Sequence, residues 1–146
     1  MIVQIGLGSV LILVSILIGA MGAMLMELGF ARWHGWLMRE PHRVKLVVVV
    51  AVVSLWVLGV VTVGVWLWAL VLHALGVLST LEEAVYFALV SFTTLGYGDV
   101  LLPLEWRILG GMSAANGLLN FGLMTAFLVE ALRHVRLGQV DARRKH

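Results

Sequence analysis

The stretch Thr93-Thr94-Leu95-Gly96-Tyr97-Gly98-Asp99 decides the fold of this 146-residue chain. Its glycines can adopt backbone angles that are closed to residues with a Cβ atom, so the chain from Thr94 to Gly98 can stay extended with successive carbonyl groups turned the same way. A column of such oxygens can replace the water around a monovalent cation. A glycine-rich turn would explain the glycines, but it would not explain the threonine pair, the tyrosine and the aspartate together.

Composition places the chain in a membrane. Hydrophobic residues make up 62% of it and charged residues 12%, with a mean hydropathy of +1.05, whereas soluble domains are about 25% charged. There is no cysteine, which excludes disulfides and thiolate metal sites, and the five histidines lack the spacing of a zinc enzyme. We therefore expect an integral membrane protein with no catalytic residues and no nucleic-acid partner.

Three segments are long enough to cross a bilayer. The first lies near residues 2 to 27, the second begins after Lys45 and carries no charge before Glu82, and the third runs from Ile108 to Leu132. Ser15, Gly19 and Ala23 form a stripe of small residues on the first span. The stripe is either a face on which another helix docks or an ordinary feature of membrane helices.

A shorter hydrophobic segment follows the second span. Thr80-Leu81-Glu82-Glu83 has the spacing of a capping box, which predicts a helix that begins at residue 81 and ends near Phe92. Such a helix is about 18 Å long, too short for a hydrocarbon core of about 30 Å. It must be re-entrant, and the irregular backbone after it needs protein or water around it at that depth.

Two segments resemble potassium channels. Thr94-Leu95-Gly96-Tyr97-Gly98 resembles their selectivity filter, and the run from Asn116 to Ala126 resembles the inner helix of simple bacterial members. The resemblance implies an all-α membrane protein with three transmembrane helices, a re-entrant pore helix and a filter loop, assembled as a tetrameric pore. It divides the chain into the following parts: an N-terminal transmembrane helix (1–30), a basic cytoplasmic loop (31–45), a pore domain (46–132) with outer helix 46–72, pore helix 81–92, filter 93–99 and inner helix 108–132, and a basic cytoplasmic tail (133–146).

The same resemblance assigns the site. Potassium, the permeant ion, would be bound by the backbone carbonyls of Thr94, Leu95, Gly96 and Tyr97 and by the Thr94 hydroxyl. Thr93, Gly98 and Asp99 would shape the filter and its outer mouth. The cavity and a possible gate would be formed by Gly117, Leu118, Phe121, Thr125 and Val129. Gly117 is either a hinge or a site of close packing, and Asn116 and Asn120 are expected to bond between helices.

Two positions depart from the family pattern. Leu95 stands where the family usually has valine, which leaves an apolar side chain behind the filter but makes it larger. Val90 stands where many relatives have a pore-helix carboxylate that supports the filter aspartate. The polar residues left to support Asp99 are Tyr86, Ser91, Trp106 and Tyr97.

Charge placement predicts the topology. Of ten Lys and Arg residues, Arg32, Arg39, Arg43 and Lys45 lie between the first two spans, and Arg133, Arg136, Arg143, Arg144 and Lys145 follow the third. The positive-inside rule puts both clusters in the cytoplasm, with the N-terminus outside and Trp66, Trp68 and Trp106 near the outer interface. The clusters also suit anionic lipid. We expect a protein of the bacterial inner membrane.

The expected function is passive, potassium-selective conduction by a homotetramer. No helix carries arginine at every third position, so no voltage sensor is expected, and the residues after Leu132 are too few for a ligand-binding domain. Two alternatives stay open at this point: a less selective monovalent cation channel, and a nonconducting membrane scaffold or auxiliary subunit.

Overall fold

The chain is built from helices. In a computed structural model, which describes residues 1–37 and 42–144, the helices are α1 (Ile2–Leu37), α2 (His42–Ala74), α3 (Leu81–Phe92) and α4 (Arg107–Arg144). A short 3₁₀ turn, Leu104–Trp106, precedes α4. No strand occurs within these described ranges, so the expected all-α fold is confirmed.

Three helices can cross a membrane. Their apolar segments are Ile2–Gly29, Val47–Ala74 and Leu104–Glu130, which confirms the three expected spans. The helices themselves are longer: α1 continues into the expected loop 31–45 and α4 into the expected tail 133–146. The sequence boundaries mark where apolar residues stop, but a helix needs only its backbone hydrogen bonds to continue into water. Residues 38–41 and 145–146 of those two segments lie outside the described part.

Helix α1 packs along α4, and the two helices run in the same direction. The Leu109 N–H donates to the Gln4 side-chain oxygen (3.3 Å), and the Asn120 side chain donates to the Ser15 hydroxyl oxygen (3.1 Å). A Cβ atom on Gly19 would lie 3.2 Å from the methyl group of Met124. Because Ser15 and Gly19 are buried against α4, they belong to a docking face, the first of the two alternatives for the small-residue stripe.

Helix α3 returns only partway along α2. The Thr80 hydroxyl caps its first turn by accepting a hydrogen bond from the Glu83 N–H (3.2 Å), as the capping-box spacing predicts. At its other end the Phe92 ring lies against Gly64 of α2, where a Cβ atom would be 3.0 Å from the ring. Gly64 is about 15 Å along the helix axis from Ala74, the end of α2. The short helix is therefore re-entrant, with the bounds expected from the sequence.

Trp68 is placed differently from the expectation. Its side chain is completely buried in an apolar cluster to which α1, α2, α3 and α4 all contribute, whereas Trp66 is 43% exposed. The interfacial position expected for Trp68 is therefore wrong, because this side of α2 faces the other helices instead of lipid. The Trp68 indole N–H has no hydrogen-bond partner in the described part of the chain.

Candidate ion-conducting site

The backbone of the predicted filter alternates in handedness. Thr94, Gly96 and Gly98 have φ angles of 57°, 57° and 76°, while the intervening Leu95 and Tyr97 have negative φ. The sign of φ thus alternates along the segment, which differs from the extended chain expected from the sequence, and the alignment of its carbonyls stays a prediction.

Thr94 bears the strain of this arrangement. A left-handed backbone costs a non-glycine residue about 1–2 kcal/mol. The end of α3 holds it in place, because the Thr94 N–H donates to the Ser91 carbonyl (2.9 Å). The next two N–H groups, those of Leu95 and Gly96, both donate to the Val90 carbonyl, at 3.0 and 3.3 Å. The first half of the segment is therefore fixed to α3 by three backbone hydrogen bonds.

Thr93 ends the helix. Its N–H donates to the Leu89 carbonyl (3.0 Å), and its hydroxyl donates to the same oxygen (2.8 Å). Thr93 is the C-cap residue of α3. It shapes the start of the segment, as expected, by closing the last turn.

The segment is open on one side. All residues from 93 to 99 are exposed in the single chain, including Tyr97 at 69% and Leu95 at 55%. The packing of Leu95 behind the filter stays a prediction, because its own chain leaves the side chain exposed. Irregular backbone at membrane depth needs surrounding protein or water. Within the described part of the chain, the backbone N–H groups of residues 94 to 96 bond to α3.

Tyr86 supports Asp99. The Tyr86 hydroxyl donates to one Asp99 carboxylate oxygen (2.5 Å), and the Val100 N–H donates to the other (3.1 Å). The hydrogen bond from Tyr86 is the main cause that lowers the pKa of Asp99 below its ordinary value, against a smaller opposing effect of desolvation. Of the four polar residues that could replace the missing carboxylate at Val90, Tyr86 is the one that makes this contact.

One face of α4 is left uncovered. Leu118, Phe121, Thr125 and Val129 are all exposed in the single chain, on the face expected to line a cavity. The Thr125 hydroxyl donates to the Phe121 carbonyl (2.8 Å), and the Phe121 ring packs against the Phe92 ring at 6.1 Å between centroids.

Gly117 lies apart from that face. It is buried, and a Cβ atom on it would lie 2.6 Å from both the carbonyl carbon and the Cα atom of Phe92. No real Cβ atom is accommodated that close to a backbone. Close packing is therefore what the structure shows at Gly117, and a hinge at this position stays a prediction.

The comparison with protein families decides the identity. A family model described as ion channel matches residues 47–134, more than half of the chain. The chain belongs to the ion channel family. No curated protein and no solved structure matches it. The matched part contains most of α2, all of α3 and the predicted filter, and it extends into α4 beyond the apolar span.

Four exposed carboxylates lie in the stretch of chain between α2 and α4. Glu82, Glu83, Asp99 and Glu105 are all exposed on the loops and helix ends between α2 and α4. A hydrogen bond from the Ser79 hydroxyl (2.7 Å) is the main cause that lowers the pKa of Glu83. Among the described residues no group of three or more His, Asp or Glu side chains is placed to bind a metal ion.

The channel also contains a polar cluster that sequence reasoning found only in part. Asn116 and Asn120 bond to another helix, as expected, but their partner is Ser15 of α1, which the sequence indicated only as a small residue. The signal in the sequence for this hydrogen bond is the Ser15 hydroxyl, because Ser15 is the polar member of the Ser15-Gly19-Ala23 stripe.

Proposed function

We propose that this channel conducts K⁺ passively and selectively, with four copies each contributing one filter segment. The observation that carries the proposal is the alternating sign of φ at residues 94 to 98, a backbone that could turn a row of carbonyl groups to one side. The carbonyls of Thr94, Leu95, Gly96 and Tyr97, with the Thr94 hydroxyl, are the ligands that would replace the hydration shell of the ion. No chemical reaction is involved.

The exposed side of the filter supports the tetramer. Carbonyl-ring filters are built from four loops, and one chain supplies one loop. Leu95 and Tyr97 would be covered by the neighbouring copies, which would also surround the irregular backbone. The open face of α4, with Leu118 and Val129 on it, would then line a shared water-filled cavity below the filter.

The orientation follows from the charges. In the proposed topology the mouth with Asp99 faces outward, the N-terminus is outside, and the ends of α1 and α4 with Arg32 and Arg133 are cytoplasmic. The parallel packing of α1 and α4 supports this assignment, because it puts both basic ends on one side. The bacterial inner membrane is the proposed location, and its anionic lipids are proposed partners of these ends.

The reversal potential tests the proposal. Purified protein in a planar bilayer, with K⁺ on one side and Na⁺ on the other, is expected to reverse near the potassium equilibrium potential. The variant Gly96→Ala is expected to lose this preference, because its Cβ atom disfavours the φ of 57° that the backbone needs. Gly59→Ala is the matched control, since nothing lies within 4 Å of the added atom.

A second candidate function is a less selective monovalent cation channel. The exposure of Leu95 favours it, because a side chain larger than the usual valine must be accommodated between subunits next to the carbonyls. A wild-type reversal potential near zero would contradict potassium selectivity and support this alternative. Tetramers that pass no current at any applied voltage would contradict both.

A further inference from the structure

Ser15 lies where the four helices meet. Its side chain is 3% exposed, and its oxygen accepts hydrogen bonds from the side-chain amides of Asn116 and Asn120, both at 3.1 Å. Gly64 of α2 lies between Ser15 and the end of α3: a Cβ atom there would be 3.8 Å from the Ser15 oxygen and 3.0 Å from the Phe92 ring. The Ser15 hydroxyl is thus separated by Gly64 from Phe92, the last residue of α3 before the proposed filter.

The Asn116 amide needs this partner, because Ser15 is its acceptor, whereas Asn120 also has two acceptors within α4. Asn116 and Asn120 are completely or almost completely buried at membrane depth, where an amide N–H without an acceptor is costly. Asn120 also donates to the Asn116 backbone and side-chain oxygens, at 2.9 and 3.0 Å, so the two side chains form one unit on α4. Ser15 supplies the acceptor from outside α4, and it thereby fixes how this turn of α4 is rotated.

This turn of α4 packs directly against the end of α3. Gly117 follows Asn116 directly and lies against the Phe92 backbone without room for even one more carbon atom. The Val90 and Ser91 carbonyls, in the last turn of α3, hold the N–H groups of residues 94 to 96. A rotation of α4 at Asn116 would therefore displace the support of the filter.

We propose that α1 positions the filter. Ser15, through Asn116 and Asn120, fixes the turn of α4 that supports Phe92, and in this way it holds Thr94 to Gly96 in the conducting arrangement. Ser15 touches no ion and is a positioning residue, in a helix that lies outside the part matched by the ion channel family. The inference rests on the proposed function in one respect only, namely that residues 94 to 98 form the conducting filter.

The variant Ser15→Ala tests this in two ways. In nanodiscs, hydrogen exchange of the amides of residues 94 to 96 is expected to rise about fivefold, as for the loss of one buried hydrogen bond. In bilayers, the open probability is expected to fall by a similar factor, with the tetramer still formed. Asn120→Leu removes one amide of the unit and is expected to have a smaller effect of the same kind, which provides a second variant if Ser15→Ala does not assemble.

Two other serines are matched controls. Ser113→Ala removes a buried hydroxyl of α4 that bonds only to the Gly110 carbonyl of its own helix (2.7 Å), and Ser9→Ala removes an exposed hydroxyl of α1. Both are expected to leave the exchange of residues 94 to 96 and the open probability unchanged. If Ser15→Ala and Asn120→Leu behave like these controls, or raise exchange equally in all helices, the positioning role is overturned.

The outcome for selectivity is separate. A wild-type channel that conducts without preferring K⁺ would contradict the proposed function, yet the regional rise in exchange in Ser15→Ala would still support positioning by α1. A potassium-selective wild type whose Ser15→Ala variant is unchanged in both measurements would contradict the positioning role alone.

Discussion

Tyr86 gives Asp99, at the end of the proposed filter, a neutral hydrogen-bond donor. The hydroxyl lies 2.5 Å from the Asp99 carboxylate and cannot itself hold a negative charge near neutral pH. A neutral donor stabilises the charged form of its acceptor, whereas a second carboxylate at the position of Val90 would compete with Asp99 for ionisation. The mouth therefore keeps its charge at lower pH than an unsupported aspartate would.

The acid sensitivity of conduction is the first prediction. The pKa of Asp99 is lowered in the folded protein, so the ionised contact is fully present above the ordinary value of 3.8 and is lost as the pH falls through the lower, folded value. Tyr86→Phe removes the main cause, and the pKa should rise towards 3.8. Acid block of single-channel conductance, measured with the mouth side titrated, is expected at a higher pH in this variant.

The control uses Asp99 itself. In Asp99→Asn the position no longer titrates, so adding Tyr86→Phe to it should produce no further shift of the acid block. A shift of equal size with and without Asp99 would show that another mouth carboxylate is responsible.

Gly117 provides the second prediction. In Gly117→Ala the added carbon would lie 2.6 Å from two backbone atoms of Phe92, which forces α3 and α4 apart. Overpacking of this kind costs about 1–3 kcal/mol. We expect a lower temperature for tetramer dissociation in detergent and loss of selective current. Gly111→Ala, on the same helix with nothing within 4 Å, should resemble the wild type. A stable, selective Gly117→Ala channel would disprove the close contact.

At the scale of elements, α3 could be predicted to the residue because its limits are local. Thr80 and Glu83 mark the start, and the filter that follows Phe92 marks the end. The limits of α1, α2 and α4 could not be predicted in this way. Their apolar runs show where the membrane ends. The helix can still continue through the polar residues that follow, such as those after Leu132.

The buried faces of the long helices were also out of reach. Apolar side chains surround α1 and α2 on every side, so no periodicity distinguishes the face towards protein from the face towards lipid. For this reason the sequence alone predicts a position at the membrane interface for Trp68, and it does not link Ser15 to Asn116. Within the site, Tyr86 could be named in advance as one of a short set of polar residues, whereas the filter residues stay a prediction from the motif.

The cap of α3 gives the third prediction. Thr80→Ala removes the acceptor for the Glu83 N–H, and loss of an N-cap costs about 1 kcal/mol. We expect a small decrease in the unfolding temperature, measured by circular dichroism in detergent. The control is Thr62→Ala, where the exposed hydroxyl bonds only to the Leu58 carbonyl of its own helix. Equal behaviour of the two variants would count against the cap as a source of stability.

At the scale of the whole molecule, the helix outside the family match is part of the packed structure. Gln4 at one end of α1 and Gly19 farther along it both lie against α4. Gly22 lies against α2, where a Cβ atom added to it would be 3.1 Å from the Trp56 ring. Helix α1 thus covers the backs of α2 and α4 on the side away from Leu118 and Val129. The four helices pack into one body, and the predicted filter is exposed on its surface.

The absence of cysteine allows a direct test of topology, the fourth prediction. Glu105→Cys introduces a thiol at the mouth, and Arg32→Cys introduces one beyond the apolar span of α1; both positions are exposed. In intact bacterial cells permeabilised only at the outer membrane, an impermeant maleimide should label the first variant and not the second. Labelling of Arg32→Cys alone would reverse the proposed orientation, and lysed cells provide the control for reactivity.

The contact between α1 and α4 also determines the order in which the chain can be completed during synthesis. Gln4 and Leu109, and likewise Ser15 and Asn120, are separated by 105 positions. A ribosome adds about 5–20 residues per second, so α1 waits in the membrane for at least several seconds before its partner emerges. Throughout that time its polar side chains have no native partner, and the filter segment is made before the helix that supports it. The contacts that support the end of α3 and dock α1 therefore form only after α4 has been made.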